Sequence, residues 1–173
     1  MGPGRSRNAA SVNAAAKEDA AAKANYELGK TYLQVAVQQD PRLDAAYLNL
    51  GSTYNGLGDY QAAVNALNTA VGLRQNWGIA MNQLGVGYRG LNDLVNAVAT
   101  FKRVVDLDGN SLYGLFNLGE AYNASGNKKE AKKVQDRLKK LNPAFANRLG
   151  DVLSGKIPGV NVPKIPKIPR FPY

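Results

Sequence analysis

Cysteine and histidine are both absent from the 173 residues. Without cysteine there is no disulfide, no thiol nucleophile and no thiolate metal site, and the redox compartment is left open. Without histidine, the commonest general base and the commonest metal ligand are missing. No run is apolar for long enough to cross a bilayer, and residues 1–16 lack the apolar core of a signal peptide. Asp106 and Asp108, with Glu120 nearby in sequence, read as helix-end charges rather than a cation site. These absences tell against an enzyme: no catalytic residue, no metal ligand and no cofactor is assigned.

The chain does have apolar residues (45%) and a net charge of +9, enough for one elongated domain. The charge is one-ended. Residues 126–173 hold 12 Lys and Arg against Glu130, Asp136 and Asp151, while residues 1–125 hold 10 basic and 10 acidic residues. A neutral body therefore carries a basic C-terminal end.

The body repeats. Shifting Asp44–Trp77 forward by 34 residues places Leu50-Gly51 on Leu84-Gly85 and then on Leu118-Gly119. Tyr54 lands on Tyr88 and Tyr122, and Ala63 on Ala97 and Ala131. In the first of these units the spacing predicts helices over about Ala45–Leu57 and Tyr60–Leu73. Gly58-Asp59 lies between them, glycine for a positive φ and aspartate to cap the next helix. Tyr47, Leu50, Gly51 and Tyr54 share one helix face, as do Ala63, Leu67, Ala70 and Val71. The next unit has Asn92 in place of the turn glycine but keeps Asp93, Ala97, Phe101 and Val104. Neither helix can bury its stripe alone, so the units must stack.

A 34-residue period with Leu-Gly, Tyr and Ala at these positions resembles the tetratricopeptide repeat family over residues 10–145. The resemblance implies an all-α fold: a right-handed α-solenoid of about four helix-turn-helix units, a short capping helix and an extended Pro/Lys-rich C-terminal arm. The expected division is a flexible lead (1–9), a degenerate first unit (10–43), three full units (44–77, 78–111 and 112–145), a capping helix (146–155) and the arm (156–173). In the degenerate unit Asn13, Ala16 and Lys17 stand where large, large and glycine are expected, so its leading helix is read as a cap. A single helix from about Ala9 to Gln39 is the competing reading, because Ala9–Lys23 is alanine-rich and a strong helix former.

In this family the concave face is lined by the fifth, ninth and twelfth positions of each leading helix. Carried over, these are Leu48, Ser52 and Asn55, then Asn82, Val86 and Arg89, then Phe116, Glu120 and Asn123. The family's binders of terminal carboxylates use lysines, asparagines and an arginine at set groove positions. Those positions here carry Leu48, Ser52, Gln83, Tyr113 and Asn117, so that clamp is absent. The repeated tyrosines and glycines are packing positions. Asn123-Ala124-Ser125 is an acceptor pattern for an N-linked glycan at Asn123.

The fourth unit places Lys128, Lys129, Lys132, Lys133, Lys139 and Lys140 on its second helix, with Gln135 where a large apolar residue is expected. Beyond it Phe145, Leu149 and Leu153, four apart, suggest a helix that closes the stack. The arm then runs Val-Pro-Lys, Ile-Pro-Lys, Ile-Pro-Arg, Phe-Pro-Tyr from Val162. Proline at every third residue suits polyproline II, in which Val162, Ile165, Ile168 and Phe171 line one edge and the basic residues and Tyr173 another. Twelve residues at about 3.1 Å each reach roughly 37 Å, enough to cross a neighbouring subunit. The expected function is a non-catalytic protein-interaction scaffold, a subunit of a larger or self-associating, even filamentous, assembly through this arm. The alternative is an adaptor or chaperone that holds a partner peptide in the groove. Partners are therefore another protein or identical subunits, with an anionic surface or glycan as a further class; nucleic acid is disfavoured, since only Phe171 and Tyr173 could stack. The many asparagines lean toward a bacterial envelope or extracellular protein if a signal was removed, and otherwise toward the cytoplasm.

Overall fold

The protein is described by a computed structural model covering residues 4–156, with side chains from residue 18 onward. Among the described residues there are eight helices and no strand: α1 (Gly4–Gln39), α2 (Asp44–Leu57), α3 (Tyr60–Leu73), α4 (Gly78–Gly90), α5 (Leu94–Leu107), α6 (Leu112–Ala124), α7 (Lys128–Leu141) and α8 (Pro143–Leu153). The expected docking arm, with Val162, Ile165, Ile168, Phe171 and Tyr173, lies outside the described residues.

The turns follow their residue chemistry. Gly58 takes φ 80°, and the next residue, Asp59, accepts from the Ala62 amide at 3.2 Å to begin α3. Thirty-four residues on, Asn92 adopts φ 59° and Asp93 accepts from the Asn96 amide at 3.1 Å. Asparagine is among the residues that tolerate this left-handed conformation, so the turn survives the loss of its glycine. Ser111 caps α6 through the Gly114 amide at 3.2 Å. α8 starts at Pro143, with the Asn142 side chain accepting from the Ala144 and Phe145 amides.

Helices α2, α4, α6 and α8 touch in sequence and form an inner row, and α1, α3, α5 and α7 each pack between or beside them as an outer row. Leu50, Leu84 and Leu118 are all buried at the interface of the two rows. The glycine after each leucine sets the helix spacing. A Cβ on Gly51 would lie 2.3 Å from Leu67 Cγ, and one on Gly85 would lie 2.6 Å from the Phe101 ring. In the fourth unit the equivalent of Leu67 and Phe101 is Gln135, and here the neighbour of Gly119 is Leu149 of α8, 2.5 Å from a Cβ placed there. Gln135 instead donates to the Ala146 carbonyl at 3.1 Å. The capping helix thus supplies the apolar knob that its own repeat lacks.

The N-terminal region differs from expectation. Residues 10–43 are not a helix pair, and residues 4–9 are not a flexible lead: α1 runs unbroken from Gly4 to Gln39. No glycine-aspartate turn interrupts its alanine-rich first half, so nothing folds that half back. Its second half nevertheless keeps the repeat register. A Cβ on Gly56 would meet the Tyr26 ring at 2.8 Å, and one on Gly90 would meet the Tyr60 ring at 2.3 Å, the second pair lying 34 residues after the first. α1 therefore serves as the second helix of a unit without a first. Leu28, Tyr32 and Val35 are left exposed as a result. The closing helix also begins earlier than residue 146, because Asn142 and Pro143 together start it.

Candidate functional site

The inner row of helices carries the candidate site. α2, α4 and α6 are amphipathic on two sides, with the Leu-Gly side on the outer row and a polar side along the concave face. Nine residues were expected on that face. Ser52, Asn55, Val86, Phe116 and Glu120 are buried, while Leu48, Asn82, Arg89 and Asn123 are half-buried. They sit deeper than an open groove would place them, because neighbouring inner helices hold each other's polar side chains.

Three cross-links run along the row. The Asn55 amide donates from α2 to the Gln83 backbone carbonyl (2.9 Å) and side-chain oxygen (3.3 Å) in α4. The Asn117 amide donates from α6 to Asn82 Oδ1 at 3.0 Å. Arg89 and Glu120 form an ion pair between α4 and α6, with side chains only 11% and 4% exposed. The Arg89 guanidinium also lies 6.0 Å from the Phe101 ring centroid. Asn55 Oδ1 is buried with no donor reaching it among the described residues.

Two of the residues in this ladder, Gln83 and Asn117, lie outside the nine. They were marked only as positions where a carboxylate clamp would need other residues. The signal that identifies them is periodic: amides recur at Asn49, Gln83 and Asn117, each 34 residues from the last. At the far end of the row, α8 covers Phe116. Phe145 packs edge-on against it at 6.2 Å, and the Arg148 guanidinium lies 5.6 Å above it. Asn123, the glycan-acceptor candidate, is half-buried near the end of α6.

Where the ladder ends, a cavity of about 430 Å³ opens between the starts of α4 and α6 and the end of α5. Its walls are mostly apolar: Trp77, Ile79, Val104, Leu107 and Tyr113, with Asn82, Gln83 and Asp108 as polar points. Ile79 (65%), Tyr113 (56%) and Leu107 (45%) are exposed, which leaves three large apolar side chains uncovered at one place. The surround is fixed. Tyr113 packs edge-on against Phe145 at 5.4 Å, and Trp77 lies under the Arg74 guanidinium at 4.1 Å, which is itself paired with Asp44 at 2.6 Å. Asp108 Oδ1 accepts from the Asn110 amide at 2.9 Å, so its loop is also fixed.

The family model described as Tetratricopeptide repeat matches residues 44–76 and 112–145. The chain carries tetratricopeptide repeats. Among solved structures, the chain is similar to a crystal structure of MamA, at 21% identity over 78% of this chain and 80% of that one, with a TM-score of 0.70. A MamA RS-1 ArsTM double mutant aligns at 20% identity over 78% and 77%, TM-score 0.67, and MamA MSR-1 C2 at 21% over 73% and 68%, TM-score 0.60. At these identities the likeness is one of fold. No curated protein matches the sequence.

Proposed function

We propose that this chain is a non-catalytic scaffold that grips a partner protein at the concave face, an apolar side chain of the partner entering the cavity beside Trp77. The observation that carries this reading is the cavity itself. Ile79, Leu107 and Tyr113 stand exposed on its rim beside the half-buried Trp77, and Asn82, Gln83 and Asp108 are polar points in its wall that can orient a peptide backbone. A ladder of buried cross-links behind it keeps the wall rigid, which lowers the entropy lost on binding. Peptides selected from a random display library on the immobilised full chain test this. Selected peptides are expected to share one large apolar residue and to lose about 1–3 kcal/mol of affinity on the double variant I79S/Y113S. Selection of peptides that bind that variant equally well would refute it.

A second reading rests on the sequence of the C-terminal arm, whose proline register gives one apolar edge from Val162 to Phe171. Under it, the arm docks on an identical subunit or another protein and builds a larger, even filamentous, assembly. Light scattering of the full chain against one ending at Gly155 separates the readings. Equal masses across concentration would remove self-assembly through the arm.

A further inference from the structure

The second helices of the three repeats occupy equivalent places, one face on the core and the other in water, so they can be compared position by position. Their charge differs sharply. α3 has no charged residue, α5 has Lys102, Arg103 and Asp106, and α7 has seven basic residues against Glu130 and Asp136. The fold builds this place without charge in α3, so packing does not demand the lysines of α7. Only Ala131, Val134 and Leu138 of α7 are buried.

On the opposite side Lys129, Lys132, Lys133 and Lys140 fall within one helix face, a ridge of ammonium groups about 16 Å long at 1.5 Å per residue. Two acidic residues of the same helix offset part of it. Glu130 pairs with Lys133 at 2.6 Å and Asp136 with Lys132 at 3.6 Å, both in solvent where such pairs hold little charge back. Among the described residues Lys128, Lys129, Lys139 and Lys140 have no acidic group within ion-pair distance. The sequence beyond adds Lys164, Lys167 and Arg170, while residues 1–125 are neutral in sum.

We propose that this ridge docks the C-terminal end of the array on an anionic lipid bilayer, by charge and without insertion. The ridge has no apolar or aromatic residue to enter a membrane or to stack on a base, and its apolar side is already used by the core. Ammonium groups on flexible stems suit the diffuse field of a headgroup layer; they lack the planar fork of arginine that reads bases or grips single phosphates bidentately. One-ended charge also orients the molecule, with α7 toward the surface and the neutral repeats away from it.

Sedimentation of the full chain with phosphatidylcholine vesicles, with and without roughly a third phosphatidylserine, tests this at about 50 and about 500 mM salt. Binding is expected only to the phosphatidylserine vesicles, and is lost at the higher salt. The variant K129Q/K133Q/K140Q should bind at least about tenfold more weakly, while K23Q/K30Q/R42Q, which removes the same charge from the neutral end, should stay within about twofold. All these side chains are on the surface, and melting curves matching the parent will show that each variant folds. Equal loss in both variants, or no binding to the phosphatidylserine vesicles, would overturn the proposal. So would tighter binding to a DNA duplex than to those vesicles at the same salt, which would assign the ridge to nucleic acid.

Discussion

Replacing Arg89 by methionine should be among the most damaging single changes in the inner row. Arg89 and Glu120 bridge α4 and α6 at 11% and 4% side-chain exposure, so the substitution leaves a carboxylate nearly out of water and without its main counter-charge. Removing one partner of such a pair costs about 3–5 kcal/mol, most of it the penalty of the charge left behind. For a folded region of this size, about 2–4 °C of melting temperature accompanies each kcal/mol, which gives a fall of about 6–20 °C. Removing both charges removes the penalty. The double variant R89M/E120L keeps side chains of similar volume beside Phe101 and should recover to within about 1–2 kcal/mol of the parent. Circular dichroism at the helix band, in heat and in urea, measures R89M, E120L and the double variant. If R89M costs less than about 1 kcal/mol, or the two single effects simply add in the double variant, the pair is not the buried cross-link described here.

Other consequences follow from the same packing. Gly85→Ala puts a methyl 2.6 Å from the Phe101 ring and should cost about 1–3 kcal/mol in urea unfolding; a neutral result would mean the ring moves freely aside. Leu149→Ala should cost about 2–5 kcal/mol although it lies outside the repeats, because Leu149 fills the notch over Gly119; loss of less than about 1 kcal/mol would show that α8 does not close the stack. Gly58→Ala strains a φ of 80° and should cost about 1 kcal/mol, whereas Asn92→Gly at the equivalent turn should be neutral or slightly stabilising, both read from thermal melts.

The repeat was legible because its residues answer to local rules. Leu-Gly pairs, turn glycine and capping aspartate recur at one period, and each is sufficient to place its helix or turn. Asn92 shows the margin: a different residue with the same backbone tolerance keeps the same turn. The single helix α1 was harder to read, since an alanine-rich stretch fits either half of a helical pair, and only the missing turn between Ala9 and Ala24 decides it. Gln135 looked like a defect in the fourth unit until Leu149 was seen to reach the same notch from α8, a contact no sequence period contains. The nine positions expected on the concave face lie on α2, α4 and α6, and their burial depends on partners in neighbouring helices. Arg89 with Glu120, Asn55 with Gln83 and Asn82 with Asn117 are relations 28 to 35 residues apart, between different helices and not between equivalent positions of the repeat. Period alone identifies a face and does not say which side chains on it are already spoken for.

Trp77 is the only tryptophan of the chain and it lines the cavity, so its fluorescence reports directly on whether the inner row grips a partner. Titrating the full chain with a selected peptide should shift Trp77 emission to the blue with the same midpoint as binding, and Y113S should abolish both together. Saturable binding that leaves the emission unchanged and is indifferent to Y113S would place the grip elsewhere and contradict the account.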